Sequence, residues 1–274
     1  MTAAWVAIAP GHAACTATNF LDPEGPRYYD TSRSTKPDEQ PSDGGNALRL
    51  VTFNIEHGRE IDGAVRLIRT NETLRDPDIL LLQEMSSEGV ARMAGELGLN
   101  YLCFPSGIHP QARQEWGTAI LSPWRIEEPA KLVLPHGAAI TGMRRAATVA
   151  TVRWRGRPIR VYSVHLPSPM AISTSERQAQ VRTILEAARA AADPVIVAGD
   201  FNSSAVGPWF QQDRFAWITQ AVGGTSRPLG LRFQLDHVFA RGLGLAGGVP
   251  AIGCVEAPGV SDHCAVWARL SVLP

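Results

Sequence analysis

The chain has 274 residues, which is long for one domain but within the range of a single large two-sheet or α/β domain. Hydrophobic residues make up 45% and charged residues 19%, and this composition argues against a wholly disordered or membrane-spanning protein. The 26 basic and 26 acidic residues cancel, so no overall field would draw the protein onto nucleic acid or an anionic membrane.

The first residues form a short apolar run that resembles a truncated bacterial export signal, with Cys15 where a lipoprotein carries its acyl chain. The basic start of such a signal is missing and residues 10–12 interrupt the run, so a disordered or mis-started N-terminus is the competing interpretation. No later segment has the ~18 consecutive apolar residues that span a bilayer. We expect an N-terminal arm over residues 1–47, a globular domain over residues 48–274, and export rather than a cytoplasmic location.

Two aliphatic runs, at residues 48–55 and 79–82, predict buried strands. The first carries Asn54 near its end, and the second leads into Glu84. An Asn in an aliphatic strand is unfavourable unless its amide has polar partners, so both side chains are candidates for a polar site. His57, in the loop after the first strand, is a candidate for the rim of that site.

Residues 195–203, V-I-V-A-G-D-F-N-S, combine a short buried strand with a polar end. Gly199 permits a turn that a side chain would resist, and Asp200 and Asn202 follow it on the same side of an extended backbone. A carboxylate beside a carboxamide can hold a hard cation or position a water molecule. The alternative is that these two residues only turn the chain after the strand.

Further acids and imidazoles follow other apolar segments of the chain. They are His165 in V-Y-S-V-H-L, Asp236 beside His237 in L-D-H-V-F, and Asp262 with His263 before the last strand. Ligands tend to bind at strand ends, where side chains converge. We therefore expect one cluster formed by Asn54, Glu84, His165, Asp200, Asn202, Asp236, Asp262 and His263.

Helical crossovers and hairpin signals occur together in this chain. The mixture predicts an α/β (α+β) fold in which two mixed, mainly antiparallel sheets pack together with helices on the outside. Helices are predicted at residues 61–73, 88–97 and 173–192, further strands at residues 101–104, 116–122, 146–154, 159–165, 233–240 and 264–273, and a surface loop at residues 204–231.

The four Cys include no C-x-x-C pair, which argues against a zinc-finger or thioredoxin-type site. Cys254 and Cys264 flank a Pro-Gly turn. They could form a disulfide in an oxidising compartment if they end neighbouring strands, and two free thiols are the alternative.

Seven motifs together resemble the endonuclease/exonuclease/phosphatase superfamily, which has the deoxyribonuclease I-like fold. In chain order they are T-F-N-I, L-L-L-Q-E, G-T-A-I-L-S, V-H-L, G-D-F-N-S, L-D-H and S-D-H. The resemblance runs from about residue 48 to residue 270. It implies a four-layer sandwich, and it makes residues 48–274 a catalytic domain that cleaves a phosphate ester by in-line attack of water.

The resemblance also implies a divalent metal ion, Mg²⁺ or Mn²⁺ with Ca²⁺ as a further option, because a hard cation neutralises charge on phosphate oxygens. Glu84 would ligate the ion, with Asn54 and Asp262 completing or flanking its site. Asp200 would orient or deprotonate the attacking water, and Asn202 would hold that water or a phosphate oxygen.

Two imidazoles complete the implied site. His165 would contact the phosphate, and His263 would be oriented by Asp236. A carboxylate behind an imidazole fixes its tautomer and keeps it cationic. The competing interpretation is that Asp236 only caps a turn and that His237 is the working imidazole.

The substrate is open at this stage. Trp116, Arg144 and Arg145 are candidate substrate-binding residues. A nucleic acid, a lipid headgroup or another small phosphodiester fits the motifs, and a phosphomonoester of the inositol-phosphate type is an alternative. A binding module that has lost activity is the alternative from a different class. We expect a monomer.

Overall fold

The computed structural model describes residues 16–33, 47–192, 194–227, 231–247 and 250–273. Its strands are β1 (Thr18–Asn19), β2 (Tyr28–Asp30), β3 (Leu48–Asn54), β4 (Ile79–Met85), β5 (Asn100–Ile108), β6 (Glu115–Ser122), β7 (Ile126–Gly137), β8 (Arg144–Trp154), β9 (Arg157–His165), β10 (Val195–Asp200), β11 (Ala216–Trp217), β12 (Asp236–Arg241), β13 (Leu243–Leu245), β14 (Ile252–Val255) and β15 (Ala265–Val272). Its α-helices are α1 (Ile61–Thr70), α2 (Ser87–Leu97), α3 (Thr174–Arg189) and α4 (Gly207–Gln212).

The strands form two sheets. The first has the order β1-β5-β6-β4-β3-β15-β13, with β2 on β5 and β14 on β15, and the second has the order β11-β12-β10-β9-β8-β7. The β3–β4 and β9–β10 pairs are parallel and the other pairs are antiparallel. The predicted fold class, two mixed and mainly antiparallel sheets with outer helices, is confirmed.

Three apolar layers hold the fold together. One lies between the sheets and includes Leu81, Val161 and Ile196. A second packs α1 and α2 against the outer face of the first sheet, and a third packs α3 and α4 against the outer face of the second. Because successive strand residues point to opposite faces, a continuous aliphatic run such as residues 195–198 of β10 contributes to two of these layers at once.

The structure differs from the sequence prediction in three places. Part of the predicted arm belongs to the first sheet, since β1 and β2 pair with β5. The predicted surface loop at residues 204–231 contains α4 and β11, whose apolar side chains pack on the second sheet. Strand β7 was missed because its acidic start and two prolines, Pro129 and Pro135, hide the pattern of an edge strand.

Two smaller points concern the cysteines and the membrane. Cys254 and Cys264 are free thiols that form a hydrogen bond to each other. Among the helices that the structure describes, none is long and apolar enough to cross a membrane.

The topology brings polar strand ends to one edge of the sandwich. The parallel strands β3 and β4 run toward Asn54 and Glu84. In the second sheet Asp200 lies opposite His165 on one neighbouring strand and opposite Asp236 on the other. The two sheets therefore contribute to a common cleft.

Gly199 is required where the chain passes into that cleft. Its φ is +143°, and a Cβ there would lie 1.9 Å from the carbonyl oxygen of Val164. We expect Gly199→Ala to lower the free energy of unfolding by about 3 kcal/mol or more, because strand β9 would have to move. Gly98→Ala is the control, since Gly98 has φ +67° with open space around it and should cost only about 1–2 kcal/mol. Equal losses in urea denaturation of the two variants would contradict this account.

Candidate active site

The cleft is centred on the buried carboxylate of Asp200. Its Oδ2 lies 3.4 Å from Nε2 of His165 and 3.8 Å from Nε2 of His263. Its Oδ1 accepts a hydrogen bond of 2.7 Å from the backbone N–H of Asn202. Burial raises the pKa of Asp200 above its usual range, opposed by the positive charge of His263.

Asn54 links the two sheets at this point. Its Nδ2 donates to Oδ2 of Asp200 at 3.0 Å and to Oε1 of Glu84 at 3.2 Å. Its Oδ1 accepts from the backbone N–H of Glu56 at 3.1 Å. One amide therefore holds a carboxylate from each sheet, which explains why an Asn is stable at the end of an aliphatic strand.

Two site residues have left-handed backbone conformations. Glu84 has φ +62° in a bulge of β4 between Gln83 and Met85, and Asn202 has φ +52° just after β10. A bulge redirects the side chain of the extra residue, so the carboxylate of Glu84 points into the cleft. Non-glycine residues in this region are strained by roughly 1–3 kcal/mol, and such strain is concentrated at functional sites.

A chain of hydrogen bonds runs from the cleft into the core. Nδ1 of His263 lies 2.8 Å from Oδ2 of Asp236, and this oxygen also accepts from the hydroxyl of Thr225 at 2.7 Å. Burial acts to lower the pKa of His263, but the carboxylates of Asp236 and Asp200 outweigh burial and raise the pKa to about 10. His263 is therefore an imidazolium at neutral pH.

His237, the alternative imidazole, faces away from the cleft. Strand alternation turns it to the outer face of the second sheet, where it contacts the rings of Phe201 and Phe239. Its Nδ1 accepts from Nε1 of Trp217, and its Nε2 lies 3.1 Å from the carbonyl oxygen of Ser203. Burial lowers its pKa to about 4, so it is a neutral structural residue.

One wall of the cleft is made of rings and a guanidinium group. Arg145 lies 3.8 Å above the ring of Trp116, which in turn contacts His165 with ring centroids 4.8 Å apart. Nε and Nη1 of Arg145 and Nε1 of Trp116 are buried with no hydrogen-bond partner among the described residues. Burial lowers the pKa of Arg145 to about 9, opposed by Glu84 and Asp200. Buried donors without acceptors indicate a place for an anionic group.

The predicted site residues do not all reach the cluster. Arg144 is the neighbour of Arg145 on β8, and its guanidinium donates to the carbonyl oxygen of Leu134 on β7 rather than pointing to the cluster. Asp262 is 47% exposed at the rim, with Oδ1 4.0 Å from Nε2 of His263. The other predicted residues lie around the cleft: Asn54, Glu84, Trp116, Arg145, His165, Asp200, Asn202, Asp236 and His263.

The sequence did not single out three residues that support the site. Thr225 holds Asp236, and Ser261 donates from its hydroxyl to the carbonyl oxygen of Asn54 at 2.7 Å. His109 packs against His57 and Trp116 at ring-centroid distances of 4.8 and 5.2 Å. Ser261 carried a signal as the first residue of S-D-H, whereas the other two lie in segments without a pattern.

The side chains present fit a hard divalent cation. Carboxylate oxygens of Glu84 and Asp200 meet at the amide of Asn54, and oxygen donors of this kind suit Mg²⁺ or Mn²⁺. A second group, formed by Asp200, Asp236 and His263, also brings three ligand atoms within 4.8 Å of one another. In that group Nδ1 of His263 and Oδ2 of Asp236 already bond to each other, while Oδ1 of Asp236 has no hydrogen-bond partner among the described residues. The donor chemistry therefore favours the side of the cleft that carries Glu84.

Comparison with known proteins agrees with this arrangement. A model of the Endonuclease/Exonuclease/phosphatase family matches residues 51–263. The chain therefore belongs to that family. No curated protein sequence matches the chain significantly.

Solved structures show the same fold. An endonuclease/exonuclease/phosphatase from Bacteroides vulgatus is 17% identical, with a TM-score of 0.65 over 83% of this chain and 99% of that one. D. rerio TDP2 complexed with single strand DNA product is 15% identical, with a TM-score of 0.63 over 82% and 99%. Sphingomyelinase C from Streptomyces griseocarneus is 16% identical, with a TM-score of 0.54 over 82% and 99%. At these identities the similarity concerns the fold alone.

The charge of His263 can be tested without any substrate. In the metal-free protein its imidazole should titrate near pH 10, and Asp236→Asn should move the titration to a lower pH by removing the hydrogen-bonded carboxylate. NMR titration of the imidazole resonances measures this. Asp262→Asn is the control and should have a smaller effect, since Asp262 is more distant and half exposed. Equal shifts in the two variants would contradict the pairing of His263 with Asp236.

Proposed function

We propose that this protein is a divalent-metal-dependent phosphoesterase that hydrolyses a phosphodiester by in-line attack of water. The observation that carries the proposal is the meeting, in one cleft, of two carboxylates, an imidazolium and a guanidinium whose buried Nε and Nη1 have no hydrogen-bond partner among the described residues. Glu84 and Asp200 supply the carboxylates, His263 the imidazolium and Arg145 the guanidinium. Membership of the family supports hydrolysis of a phosphate ester.

The metal ion would be held by Glu84 and Asn54, with Asp262 flanking it at the rim. When bound, Mg²⁺ or Mn²⁺ supplies Lewis-acid stabilisation of charge on phosphate oxygens. The amide of Asn54 faces both carboxylates with its Nδ2. Its Oδ1 accepts from the backbone N–H of Glu56, so Glu84 is the residue on which metal binding chiefly depends.

Asp200 is the residue that accepts a proton from the attacking water. Its carboxylate is buried and its raised pKa makes it a better base than an ordinary Asp. The amide of Asn202 lies 3.1 Å from Oδ2 of Asp200 and donates to the carbonyl oxygen of Leu166. This contact holds Asn202 beside the base, where it orients the water or a phosphate oxygen.

The positive groups stabilise the phosphate. His263, kept cationic by Asp236, and Arg145, stacked on Trp116, would donate to phosphate oxygens. His165 is neutral, because burial and the charge of Arg145 lower its pKa well below the usual value. It therefore contacts the phosphate as a hydrogen-bonding group rather than as a cation.

Two alternative functions differ from this proposal in their chemistry. A phosphomonoesterase would use the same groups on a terminal phosphate, and an inactive module would bind a phosphate ester without cleaving it.

Replacement of Glu84 tests the metal-dependent step. The wild type should hydrolyse bis-p-nitrophenyl phosphate with Mg²⁺, Mn²⁺ or Ca²⁺, and Glu84→Ala should lower turnover at least about 100-fold because a carboxylate ligand is lost. Chelation of the metal should abolish activity. Wild-type protein inactive with all three ions, or a variant with undiminished activity, would refute the proposal. A preference for p-nitrophenyl phosphate would instead indicate a phosphomonoesterase.

A second activity test separates the two candidate imidazoles. Asp236→Asn should keep the fold and metal affinity but lower kcat about 100-fold or more, since an amide cannot stabilise an imidazolium. His237→Ala should change kcat much less, because His237 lies on the outer face of the sheet. Both are measured at saturating metal beside His263→Ala. A His237→Ala enzyme as inactive as His263→Ala would overturn the assignment.

A further inference from the structure

Two loops at the edge of the cleft end in unusually exposed apolar side chains. Ile140, in the hairpin between β7 and β8, is 84% exposed, and Met170, in the loop after β9, is 93% exposed. These are the two largest values among the exposed large apolar residues of the described chain. The loops are joined by a hydrogen bond of 2.8 Å from the N–H of Ala139 to the carbonyl oxygen of Ala171. We call Ile140 and Met170 the apolar tips.

The apolar tips lie beside the candidate active site. Strands β8 and β9 are antiparallel, so the hairpin before β8 and the loop after β9 occupy the same edge as His165. Neither residues 137–143 nor residues 166–175 include an Asp, Glu, Lys, Arg or His. The apolar tips, on uncharged loops, thus lie beside a cleft that contains several charged groups.

A second exposed apolar pair lies across the cleft. Leu231 is 63% exposed and Phe233 is 44% exposed, just before β12. Strand β12 flanks β10 on the side opposite β9, and its first residue, Asp236, is at the cleft. Apolar side chains therefore project on both sides of Asp200.

The first described residues of the chain lie beside the apolar tips. The backbone N–H of Ala17 donates to the carbonyl oxygen of Thr141, the residue after Ile140, at 2.9 Å. The chain therefore enters the described fold at Ala17 beside the apolar tips. Residues 1–15, M-T-A-A-W-V-A-I-A-P-G-H-A-A-C, contain no Asp, Glu, Lys or Arg.

We propose that the apolar tips dock this protein on a lipid surface, with the cleft facing the headgroups. These few projecting side chains, Leu231 and Phe233 included, offer too little area for a protein partner, since a specific protein interface buries roughly 1,200–2,000 Å². A bilayer accepts such projections, and burial of each large apolar side chain strengthens binding by about tenfold or more.

Docking would define the substrate class of the proposed function. A cleft held against a bilayer faces ester bonds of lipid headgroups, so the substrate would be a phosphodiester at a lipid surface. This step rests on the proposed phosphoesterase activity, whereas docking itself does not. Because the tip loops are uncharged, attachment is apolar and should resist salt, unlike attraction to anionic lipid.

The test is co-sedimentation of the full chain with phosphatidylcholine vesicles in EDTA, at low and high salt. We expect wild-type protein to bind under both conditions and Ile140→Asp/Met170→Asp to bind at least about tenfold more weakly. Leu245→Asp is the matched control and should bind like wild type. Leu245 is 46% exposed on β13, at the edge of the first sheet opposite β1.

Several results would overturn docking: wild-type protein left in the supernatant, a double variant that binds like wild type, or binding abolished by high salt. A wild-type dimer that the double variant dissolves, without vesicle binding, would assign the apolar tips to a second copy instead. Thermal unfolding should be unchanged in both variants, because the replaced side chains are exposed. Hydrolysis of soluble bis-p-nitrophenyl phosphate should also be unchanged in both variants. Wild-type protein that binds vesicles but does not hydrolyse this ester would refute the enzyme proposal and leave docking supported.

Discussion

The burial of one carboxylate, Asp200, sets the requirements that the rest of the site satisfies. A charge removed from water is unfavourable unless hydrogen bonds and opposite charges replace the lost hydration. Asp200 obtains these from the amide of Asn54 on the other sheet, the backbone of Asn202 and the cation of His263. The same contacts tie the two sheets together at the cleft, so the stability of this edge and its chemistry depend on one set of interactions.

The second carboxylate of that edge, Asp236, shows how the cation is maintained. It is fully buried, and it accepts hydrogen bonds from Thr225 and His263 with one oxygen. This arrangement raises the pKa of His263 far above that of an ordinary histidine, so its imidazole keeps its proton at neutral pH. The cleft consequently contains a fixed positive charge beside a base, an arrangement suited to an anionic ester whose attacking water must lose a proton.

Exposed apolar side chains lie beside this charged centre, so two kinds of contact would contribute to recognition. Charged groups in the cleft would select a phosphate ester, and the apolar tips at Ile140 and Met170 would select where that ester is found. The first property belongs to the fold shared with the family. The second depends on two loops whose sequence can change without disturbing the sheets.

The sequence by itself determined the strands with strong aliphatic runs, the two-sheet class and most of the polar residues at strand ends, because these follow from local patterns and motif order. It missed β7 and α4, whose local signals are weak and whose formation depends on packing against the second sheet. Only the tertiary structure decided that Asp236 pairs with His263 while His237 packs on the outer face of the second sheet. It also decided that Arg145 reaches the cleft while Arg144 does not. These choices depend on strand register and pairing, which join residues far apart in the chain and are not encoded in any single segment.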